Sequence, residues 1–531
     1  MKILYADSET SGLSPFIHHI TLFQHSWDDS TKITLTPNPS KEFIHNLFDK
    51  ASLIVMHNAS FDFGMAHYIP NANKIVDTAK LSRIIDFQEE EHTLDKVATR
   101  ALGYDPYENY DKKRLQKTDW TQELTKEQLA YAKLDVQVLK PIFKKFRTAL
   151  IHKIYKFDCQ SMAAGLQIQQ HGLPILHKEV KAEQHATEAR LAALLDELPC
   201  NPNSPKQVTE ALHVSSSADR VLAQMELKGN ALAAQVREAR QAGKYLNFLK
   251  KLGAKPRYYG TLGPNAASGR FTSSKENIQQ IPRAQKRFIG SHDNVLISAD
   301  YAQLELRSIA VLAKDKTMVN LFREGADLHA YTAEQLFGGD YTKEQRQIAK
   351  TFSFSILYGA GVRTIREMLI ANAGIILPEM EVAQLKKRWL LAYKGIAQWQ
   401  REGSKRFELG LPHHTPLGRK YLARSYTQML AVENQGLGAE ITRWALHYLL
   451  PRLPEEVKPV NYVHDSILIE SPNDPAIYEP TANLVAEAFK KSWAAAPLNT
   501  YGVEMPVSVG VAHNWKDADS LTNCVFTLEE V

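Results

Sequence analysis

The chain has 531 residues, a formal net charge of +5 and 44% hydrophobic residues. This length allows several domains with their own cores, and the absence of a long apolar stretch argues against a membrane-spanning protein. The mild charge means that nucleic-acid binding needs a local basic patch rather than a basic surface overall. The cysteines Cys159, Cys200 and Cys524 match no metal-binding spacing, which is consistent with a reducing compartment.

Four acidic residues and a tyrosine follow the predicted elements at the N-terminus. A short apolar strand beginning at the first residue delivers DSETSGL, in which Asp7 and Glu9 reach one metal cluster if the strand end bends. The apolar segment LIVMHNASFD leads to Asp62, and YAKLD places Tyr131 and Asp135 one turn apart on the same face of a helix. Because the strand starts so early, we expect no signal or transit peptide.

Helices are predicted in the next region, over residues 178–199 and 219–252, with Ser204 as an N-cap and Pro205 at a first helical position. A basic segment lies at residues 237–257. Its cations face only Glu238 in the sequence: Arg237, Arg240, Lys244, Lys250, Lys251, Lys255 and Arg257. This density predicts salt-sensitive contact with phosphates, and a solvated helix face is the alternative.

Two later carboxylates follow apolar strand patterns. Asp300 ends the apolar run in LISADYAQLELR, and Asp465 interrupts the strand-like VNYVHDSILIE. An ionised carboxylate in a buried strand is costly without a cation. The pair therefore suggests a divalent metal site, of the kind in which phosphoryl-transfer enzymes hold two metals about 4 Å apart. Mg²⁺ favours a few carboxylates plus substrate phosphates, so the substrate is expected to be a nucleotide.

A ladder of four side chains lies between these strands, in RQIAKTFSFSILYG. Arg346, Lys350, Phe354 and Tyr358 are spaced four apart and form one stripe along a helix, about 6 Å apart along its axis. This stripe matches a nucleoside triphosphate, because two cations meet the phosphates while two aromatic rings cover the sugar and base. Gly359 is expected to end the helix at its C′ position.

The chain here resembles the family A, DNA polymerase I-like DNA polymerases. DYAQLELR, R-x3-K-x3-F-x3-YG and VHD match the family's polymerase motifs in order, and the resemblance spans about residues 155–520. Further family-like segments are NAASGRFTSSKENIQQIP, DLHAYTAEQLF, TPLGRK, QGLGAE and VGVAHNW. The order of so many segments makes a chance match very improbable.

The resemblance implies roles for individual residues. Asp300 and Asp465 would hold two catalytic metals, with the backbone carbonyl of Tyr301 as a further ligand. The implied nucleotide-binding residues are Arg346, Lys350, Phe354, Tyr358, Glu305, Gln303 and His329. Lys350 would also protonate the pyrophosphate, while Arg346 and His329 would contact phosphate oxygens. Phe354 would pack on the sugar, Tyr358 would guard the template side, and Glu305 would act as the gate against a ribose 2′-hydroxyl. The implied DNA contacts are Arg270, Asn277, Gln279, Gln435 and His464, with Arg240 and Lys244 from the basic segment. Minor-groove contacts of this kind test the shape of a base pair rather than its sequence.

Two positions depart from the family pattern. Ser466 stands where members often carry a third acidic residue, and Ala431 stands where they often have asparagine. Because the two metal-bridging aspartates remain, we interpret Ser466 as a change around the metal ligands rather than among them.

The N-terminal set resembles the 3′ to 5′ proofreading exonucleases of the DEDD class, tyrosine subtype, over about residues 1–145. That resemblance implies metal ligands at Asp7, Glu9, Asp62 and Asp135, with Tyr131 orienting the attacking water and Asn58 supporting the site. No 5′ nuclease domain is expected.

The two resemblances imply an α/β and α+β multidomain fold. Its units are a ribonuclease H-like exonuclease domain at 1–150 and a right-hand polymerase domain at 151–531, with the thumb at about 178–285, the fingers at about 315–425, and a palm that includes 286–314 and 426–531. The implied cofactor is Mg²⁺, two ions per active site, with Mn²⁺ as a substitute. The implied partners are primer-template DNA and deoxynucleoside triphosphates, for a monomer without membrane contact in the cytoplasm of a bacterial cell or phage-infected host.

Simpler interpretations stay open for single residues. A lone aspartate at a strand end is usually a cap, Glu305 and Tyr131 could be ordinary helix residues, and His329 could be a packing histidine. Three other functions compete with a DNA polymerase. They are a nuclease with a DNA-binding second domain, an RNA polymerase, against which Glu305 argues, and a nucleic-acid-binding protein without activity.

Overall fold

The structure is a computed structural model that describes residues 2–274 and 276–529. Two hydrophobic cores organise these residues, one drawn from residues 3–166 and one from residues 164–515. One long helix joins them, because its Met162 and Leu166 pack into the first core while Ala164 and Ile168 pack into the second. The first core therefore extends past the domain boundary predicted at residue 150. Among the described residues, no helix is long and apolar enough to cross a membrane.

The first core lies around a five-stranded mixed sheet with strand order β3-β2-β1-β4-β5. The strands are β1 Ile3–Thr10, β2 Ile20–Trp27, β3 Thr34–Pro37, β4 Leu53–Met56 and β5 Ile75–Asp77. Strand β1 pairs antiparallel with β2 and parallel with β4, so it lies in the middle of the sheet. The helices are α1 Lys41–Lys50, α2 Ser60–Met65, α3 Thr78–Ile85, α4 Leu94–Leu102, α5 Lys112–Leu115 and α6 Lys126–Phe146. The predicted strand at the N-terminus is present as β1, and Met1 lies outside the described residues.

Helix α7, Lys153–His171, leads from this domain into the rest of the chain. The helices that follow are α8 His177–Glu197, α9 Pro205–Leu212, α10 Asp219–Leu227, α11 Ala231–Gly253, α12 Leu304–Leu312, α13 Lys316–Arg323, α14 Leu328–Phe337, α15 Lys343–Leu357, α16 Val362–Ala373, α17 Glu379–Ala392, α18 Lys394–Glu408, α19 Tyr426–Leu449, α20 Pro475–Ala494 and α21 Trp515–Ser520. The strands are β6 Leu173–Pro174, β7 Arg257–Tyr258, β8 Thr261–Gly263, β9 Thr272–Ser274, β10 Asn294–Tyr301, β11 His413–His414, β12 Lys420–Tyr421, β13 Lys458–Val463, β14 Ser466–Pro472, β15 Val507–Ala512 and β16 Phe526–Leu528. Short 3₁₀ turns lie at Ala72–Lys74, Arg147–Ile151, Arg283–Phe288 and Leu450–Arg452.

An antiparallel sheet with strand order β13-β14-β10-β15-β16 forms the floor of the second domain. The sequence pattern predicted a strand that breaks at His464 and Asp465 and then resumes, and the break is present, but the chain does not continue in the same direction. The chain reverses at His464 and Asp465, so that β13 and β14 form a hairpin in which Val463 pairs with Ser466. His464 has a φ of 53°, which lets the turn close in so few residues. The reversal brings Asp465 back toward β10.

Helix boundaries follow local capping chemistry. Ser204 caps α9 as predicted, since its side chain accepts a hydrogen bond from the backbone N–H of Gln207. The single helix predicted over residues 219–252 is wrong, because Gly229 has a φ of 85° and Asn230 caps a second helix. Helix α15 carries Arg346, Lys350 and Phe354 of the predicted ladder and ends at Leu357, with Tyr358 as its C-cap and Gly359, which has a φ of 72°, at the C′ position.

Charged side chains join α7 to the second domain inside the protein. The Asp158 carboxylate accepts a hydrogen bond from Arg419 at 2.6 Å and another from the fully buried Arg443. Ser161 accepts a hydrogen bond from Arg443 at 2.7 Å and also bonds His447. Burial alone raises the pKa of Asp158, but Arg419 and Arg443 outweigh burial and hold that pKa well below its usual range. This network fixes α7, which both cores share, against α19.

We expect Asp158→Asn to lower the free energy of unfolding by about 3–5 kcal/mol, because it leaves two guanidinium groups without their counter-charge. Calorimetric unfolding checks this value, with the exposed Asp29→Asn as the matched control. Because folding depresses the pKa of Asp158, its contribution to the free energy of unfolding is fully present above the ordinary aspartate pKa of about 3.9. The contribution is lost as the pH falls from that value through the pKa of the folded state. A variant as stable as the control at pH 7 would show that the network carries no such energy.

Candidate active sites

The N-terminal carboxylates meet at the centre of the first sheet. Asp7 and Glu9 are two residues apart on β1 and therefore lie on the same face, while α6 presents Asp135 to them. Ligand oxygens of Asp7, Glu9 and Asp135 lie within 4.8 Å of one another, and among the described residues only this group brings three such ligands together. Asp62 lies beside them on α2, and its carboxylate accepts a hydrogen bond from Ser8 at 2.6 Å.

The electrostatics of this cluster favour a cation. Burial raises the pKa of Asp7 to about 6, although Gln24 opposes the shift by donating to its carboxylate at 2.9 Å. Burial, followed by the charge of Asp7, raises the pKa values of Glu9, Asp62 and Asp135 well above their usual range. Carboxylate oxygens are the ligands that Mg²⁺ and Mn²⁺ prefer, so the donor set fits a hard divalent metal.

Two aromatic hydroxyl groups face Asp135 rather than one. Tyr131 is 3% exposed and lies one turn before Asp135 on α6, as the sequence predicts. Tyr107 was missed, yet its hydroxyl donates to Asp135 at 2.6 Å and the Lys112 ammonium lies 5.1 Å from the centre of its ring. The loop that carries Tyr107 has no helical spacing to Asp135, so only the fold reveals the contact. Asn58, predicted to support the site, has a φ of 60° and donates through its backbone to Asp77.

The second pair of carboxylates lies on the antiparallel sheet. Asp300 is near the end of β10, directly opposite Ser466 in the β10–β14 register, and Asp465 is in the turn that precedes β14. Asp300 is open to solvent on one side, but protein packs closely around the rest of its carboxylate. Burial and then the charge of Asp465 raise its pKa well above the usual range, and burial raises the pKa of Asp465 to about 6.

A third acidic residue lies near this pair. Asp519 of α21 adds to the upward pKa shift of both Asp300 and Asp465, and it pairs with Lys286 at 3.0 Å. The Lys286 ammonium also lies 4.2 Å from the centre of the Trp515 ring. The family pattern has a third acidic residue at the position where this chain has Ser466. No sequence motif pointed to Asp519, since it comes from a helix far along the chain.

The ladder on α15 faces α14. Arg346 pairs with Asp327 at 2.6 Å, Lys350 is exposed, and the Phe354 ring centre lies 6.1 Å from that of His329. His329 is 8% exposed, and its buried Nδ1 atom has no hydrogen-bond partner. A buried polar atom without a partner is costly, so a ligand that reaches His329 would satisfy it.

Glu305 and Tyr358 lie together at the end of the ladder. Glu305 pairs with Arg270 at 2.8 Å, and its backbone carbonyl accepts a hydrogen bond from Asn434 at 3.1 Å. Burial and then Glu305 raise the pKa of the Tyr358 hydroxyl, so this group stays protonated. The predicted nucleotide gate and a predicted DNA contact, Arg270, are therefore bound to each other.

The other predicted contacts occupy different surroundings. Gln279 donates to the backbone carbonyl of Tyr462 at 2.9 Å, and the Asn277 side chain accepts a hydrogen bond from the backbone of Gln279. Gln303 has a φ of 57° at the start of α12, and the hydroxyl of Tyr301 is buried against α20. Gln435 is half-buried and His464 is exposed.

The basic segment is more compensated than its sequence indicates. Arg237 pairs with Asp219 and Glu226, Lys250 with Glu188, and Arg257 with Glu470. The Arg240 guanidinium donates to the backbone carbonyls of Pro202 and Ser217, each at 2.6 Å, whereas Lys244 is exposed. The expectation that Glu238 alone opposes these cations is wrong, because acidic residues of other elements fold onto them.

Comparisons with known proteins match both halves of the chain. A model of DNA polymerase family A matches residues 170–517, and a 3′-5′ exonuclease model matches residues 1–151. DNA polymerase I of Aquifex aeolicus is 27% identical over 528 residues, which cover 89% of each chain. The thermostable DNA polymerase I of Thermus thermophilus is 29% identical over 275 residues, 48% of this chain and 31% of that relative. The POL domain of Pol1 from M. smegmatis, in a complex with DNA primer-template and dNTP, has a TM-score of 0.72 at 18% identity, covering 97% of this chain and 96% of the other.

We expect Mg²⁺ binding at the N-terminal site to release protons at pH 6, because metal displaces protons from carboxyl groups with raised pKa values. Affinity should therefore fall as pH is lowered through 6, the value to which the pKa of Asp7 is raised. Isothermal titration calorimetry of Asp465→Asn, in two buffers that differ in ionisation enthalpy, counts these protons. Adding Asp7→Asn should reduce the count, and equal heats in both buffers would contradict this account.

Proposed function

The chain belongs to DNA polymerase family A and carries a 3′-5′ exonuclease domain, and from this premise we propose that each domain acts at its own carboxylate site. The Asp300–Asp465 site extends a DNA primer with deoxynucleoside triphosphates. The site of Asp7, Glu9 and Asp135 removes nucleotides from the primer 3′ end. The observation that carries the proposal is the presence of two separate groups of carboxylates, one around β1 of the first sheet and one at the β10–β14 edge of the second.

In the synthesis step, Asp300 and Asp465 would hold the cations while Lys350 and Arg346 bind the triphosphate. The metal would supply a lowered pKa for the primer 3′-hydroxyl and would neutralise charge on the phosphates. Arg346 is paired with Asp327, so it exchanges this partner for a phosphate oxygen when nucleotide binds. Lys350 is exposed and free to approach the leaving pyrophosphate, to which it gives a proton.

The base and sugar occupy the far end of the ladder. Phe354 covers the sugar, Tyr358 bounds the template side, and the Nδ1 atom of His329 gains a phosphate oxygen as its partner. Glu305 fills the space that a ribose 2′-hydroxyl needs and is held there by Arg270. Closure of the helices around α15 after correct pairing completes the site.

In the removal step, Asp7, Glu9, Asp62 and Asp135 would hold the cations and Tyr131 would orient the attacking water. The Asp135 carboxylate accepts hydrogen bonds from both Tyr107 and Tyr131, so Tyr107 keeps this carboxylate in place when Tyr131 turns toward the water. A mispaired primer end that frays from its template reaches this site, which gives the enzyme a proofreading step.

Enzymes of both families are metal-dependent, and Mg²⁺ is the ion proposed for both sites, with Mn²⁺ as a substitute. The proposed enzyme is a monomer in the cytoplasm of a bacterial cell or phage-infected host. The thumb, fingers and palm keep the boundaries predicted from the sequence. Asp519 stands near the metal ligands and offsets the absence of an acidic residue at Ser466.

The competing functions fit the site less well. A nuclease with a DNA-binding second domain would not require the Asp300–Asp465 pair together with a phosphate-binding ladder. A binding protein without activity has no reason to hold buried carboxylates whose mutual repulsion destabilises the fold. An RNA polymerase would need room for a 2′-hydroxyl where Glu305 stands.

Asp465→Asn should reduce primer extension by more than about 100-fold while degradation of a single strand continues, and Asp7→Asn should do the reverse. The expectation follows from the loss of a metal ligand at one site only, since even residues behind the ligands typically contribute about 10–100-fold. Gel assays with a 5′-labelled primer measure both activities. Loss of both activities in a folded single variant would contradict two independent sites.

Glu305→Ala should raise incorporation of ribonucleotides relative to deoxynucleotides by about 10-fold or more, because the side chain no longer excludes the 2′-hydroxyl. Glu305→Gln is the matched control, since it keeps the size of the side chain while weakening the pair with Arg270. The ratio of kcat/KM values for the two sugars is the measurement. An equal rise in both variants would assign the discrimination to charge rather than to size.

A further inference from the structure

We propose that Phe16 and Tyr259 form a stacking site for the unpaired 3′ strand of the primer as it passes from the polymerase site to the exonuclease site. This inference rests on the proposed function, because it assumes that both sites act on the same strand. The two rings are nearly parallel, with centres 4.2 Å apart and an interplanar angle of 19°. Phe16 belongs to the first domain and Tyr259 to the second, so the stack bridges them.

Each ring is close along the chain to one active site. Phe16 lies on the loop that follows β1, the strand that carries Asp7 and Glu9. Tyr259 lies between β7 and β8, and the β8–β9 hairpin leads to Arg270, which pairs with Glu305. The stack therefore connects a loop that starts at the exonuclease carboxylates with a hairpin that carries Arg270 of the polymerase site.

Tyr259 packs against the backbone of Gly172, whereas the other aromatic neighbour of Phe16 is the His67 ring, with ring centres 6.3 Å apart. Gly172 lies so close to the Tyr259 ring that a Cβ atom at that position would be 2.5 Å from a ring carbon. Phe16 sits on an irregular loop whose contacts to the domain include a hydrogen bond between His67 and the carbonyl of Pro15 at 2.8 Å. Displacement of Phe16 thus leaves Tyr259 in place as a platform for a base.

Two cavities flank the stack and share Phe16, Ile17, His18 and Tyr259 in their walls. Their volumes are about 590 and 520 Å³, within the range of pockets that hold nucleotide-sized ligands. Further charged or titratable residues in the walls are Lys255, Lys41, His19, His67 and Glu276. Lys41 and Lys255 against Glu276 alone leave the walls with a net positive charge, which favours an anion.

The loop also exposes apolar surface beside the aromatic pair. Leu13 is 56% exposed and Ile17 is 62% exposed. Aromatic and apolar faces next to cations are what proteins use to bind single-stranded DNA without regard to sequence, because every base offers a face for stacking. The chemistry of the junction thus fits an unpaired DNA strand better than a duplex, whose bases are already stacked.

The test compares Phe16→Ala and Tyr259→Ala with Tyr259→Phe, which keeps the ring, and with Tyr501→Ala, a tyrosine in the palm that is 36% exposed. Three 5′-labelled substrates are used with Mg²⁺. They are a trinucleotide, a primer-template with three mismatched 3′ nucleotides in the presence of excess trap DNA, and a matched primer with deoxynucleotides.

We expect both ring-removing variants to excise the mismatched end at least about fivefold more slowly within one binding event, since stacking of one base is lost. Cleavage of the trinucleotide and extension of the matched primer should stay within twofold of the wild type, and Tyr259→Phe and Tyr501→Ala should behave as the wild type. Unchanged mismatch excision in Phe16→Ala and Tyr259→Ala would overturn the inference. Equal slowing on the trinucleotide would also overturn it, because the defect would then lie in the exonuclease site itself.

Failure of the proposed function would look different. If the wild type cleaved no substrate, the exonuclease assignment would fall before the variants were compared. If the wild type cleaved its substrates and the Phe16→Ala and Tyr259→Ala variants cleaved them at the same rates, the stacking site would be rejected and the exonuclease assignment would stand.

Discussion

Repulsion between closely held carboxylates is the constraint on which both sites depend. Asp7, Glu9 and Asp135 have ligand oxygens within 4.8 Å of one another, and the charge of Asp465 raises the pKa of Asp300. The fold holds these groups together because Asp7, Glu9 and Asp300 lie on central strands, Asp135 lies on a helix that packs into the first core, and Asp465 lies in the tight turn between β13 and β14. A divalent cation turns this repulsion into attraction, so the same arrangement that destabilises the protein prepares it to bind metal.

Contacts of two kinds join the halves of the chain that carry the two sites. Helix α7 contributes to both cores, and Asp158 anchors it to Arg443 in the second domain. A second link, between Phe16 and Tyr259, is aromatic and lies on a loop. The buried ionic link fixes the domains, while the aromatic link is placed where a DNA strand would pass between them.

Local sequence patterns were sufficient for the residues that act through their immediate neighbours. The α15 ladder, the Ser204 cap and the Gly359 stop depend on helical spacing and backbone conformation, and all three appear in the structure. Both families and the order of their domains were also foreseen from motifs. The hairpin at Asp465 was missed, because an apolar run looks alike whether it continues or turns back.

Contacts between distant segments could not be predicted in this way. Tyr107 reaches Asp135 from a loop, and Asp519 approaches Asp300 from the last helix, so neither has a partner at a recognisable spacing. The basic segment was overestimated for the same reason, since Asp219 and Glu188 fold onto it from other helices. Sequence patterns describe which groups an element carries, whereas the fold decides which groups neutralise them.

The most direct test of two metal-dependent sites is a time course on a 5′-labelled primer annealed to a longer template, with Mg²⁺, with and without deoxynucleotides. The account predicts extension when nucleotides are present, shortening from the 3′ end when they are absent, and neither after chelation of the metal. Shortening under both metal-containing conditions, with no extension, would contradict it and leave a nuclease.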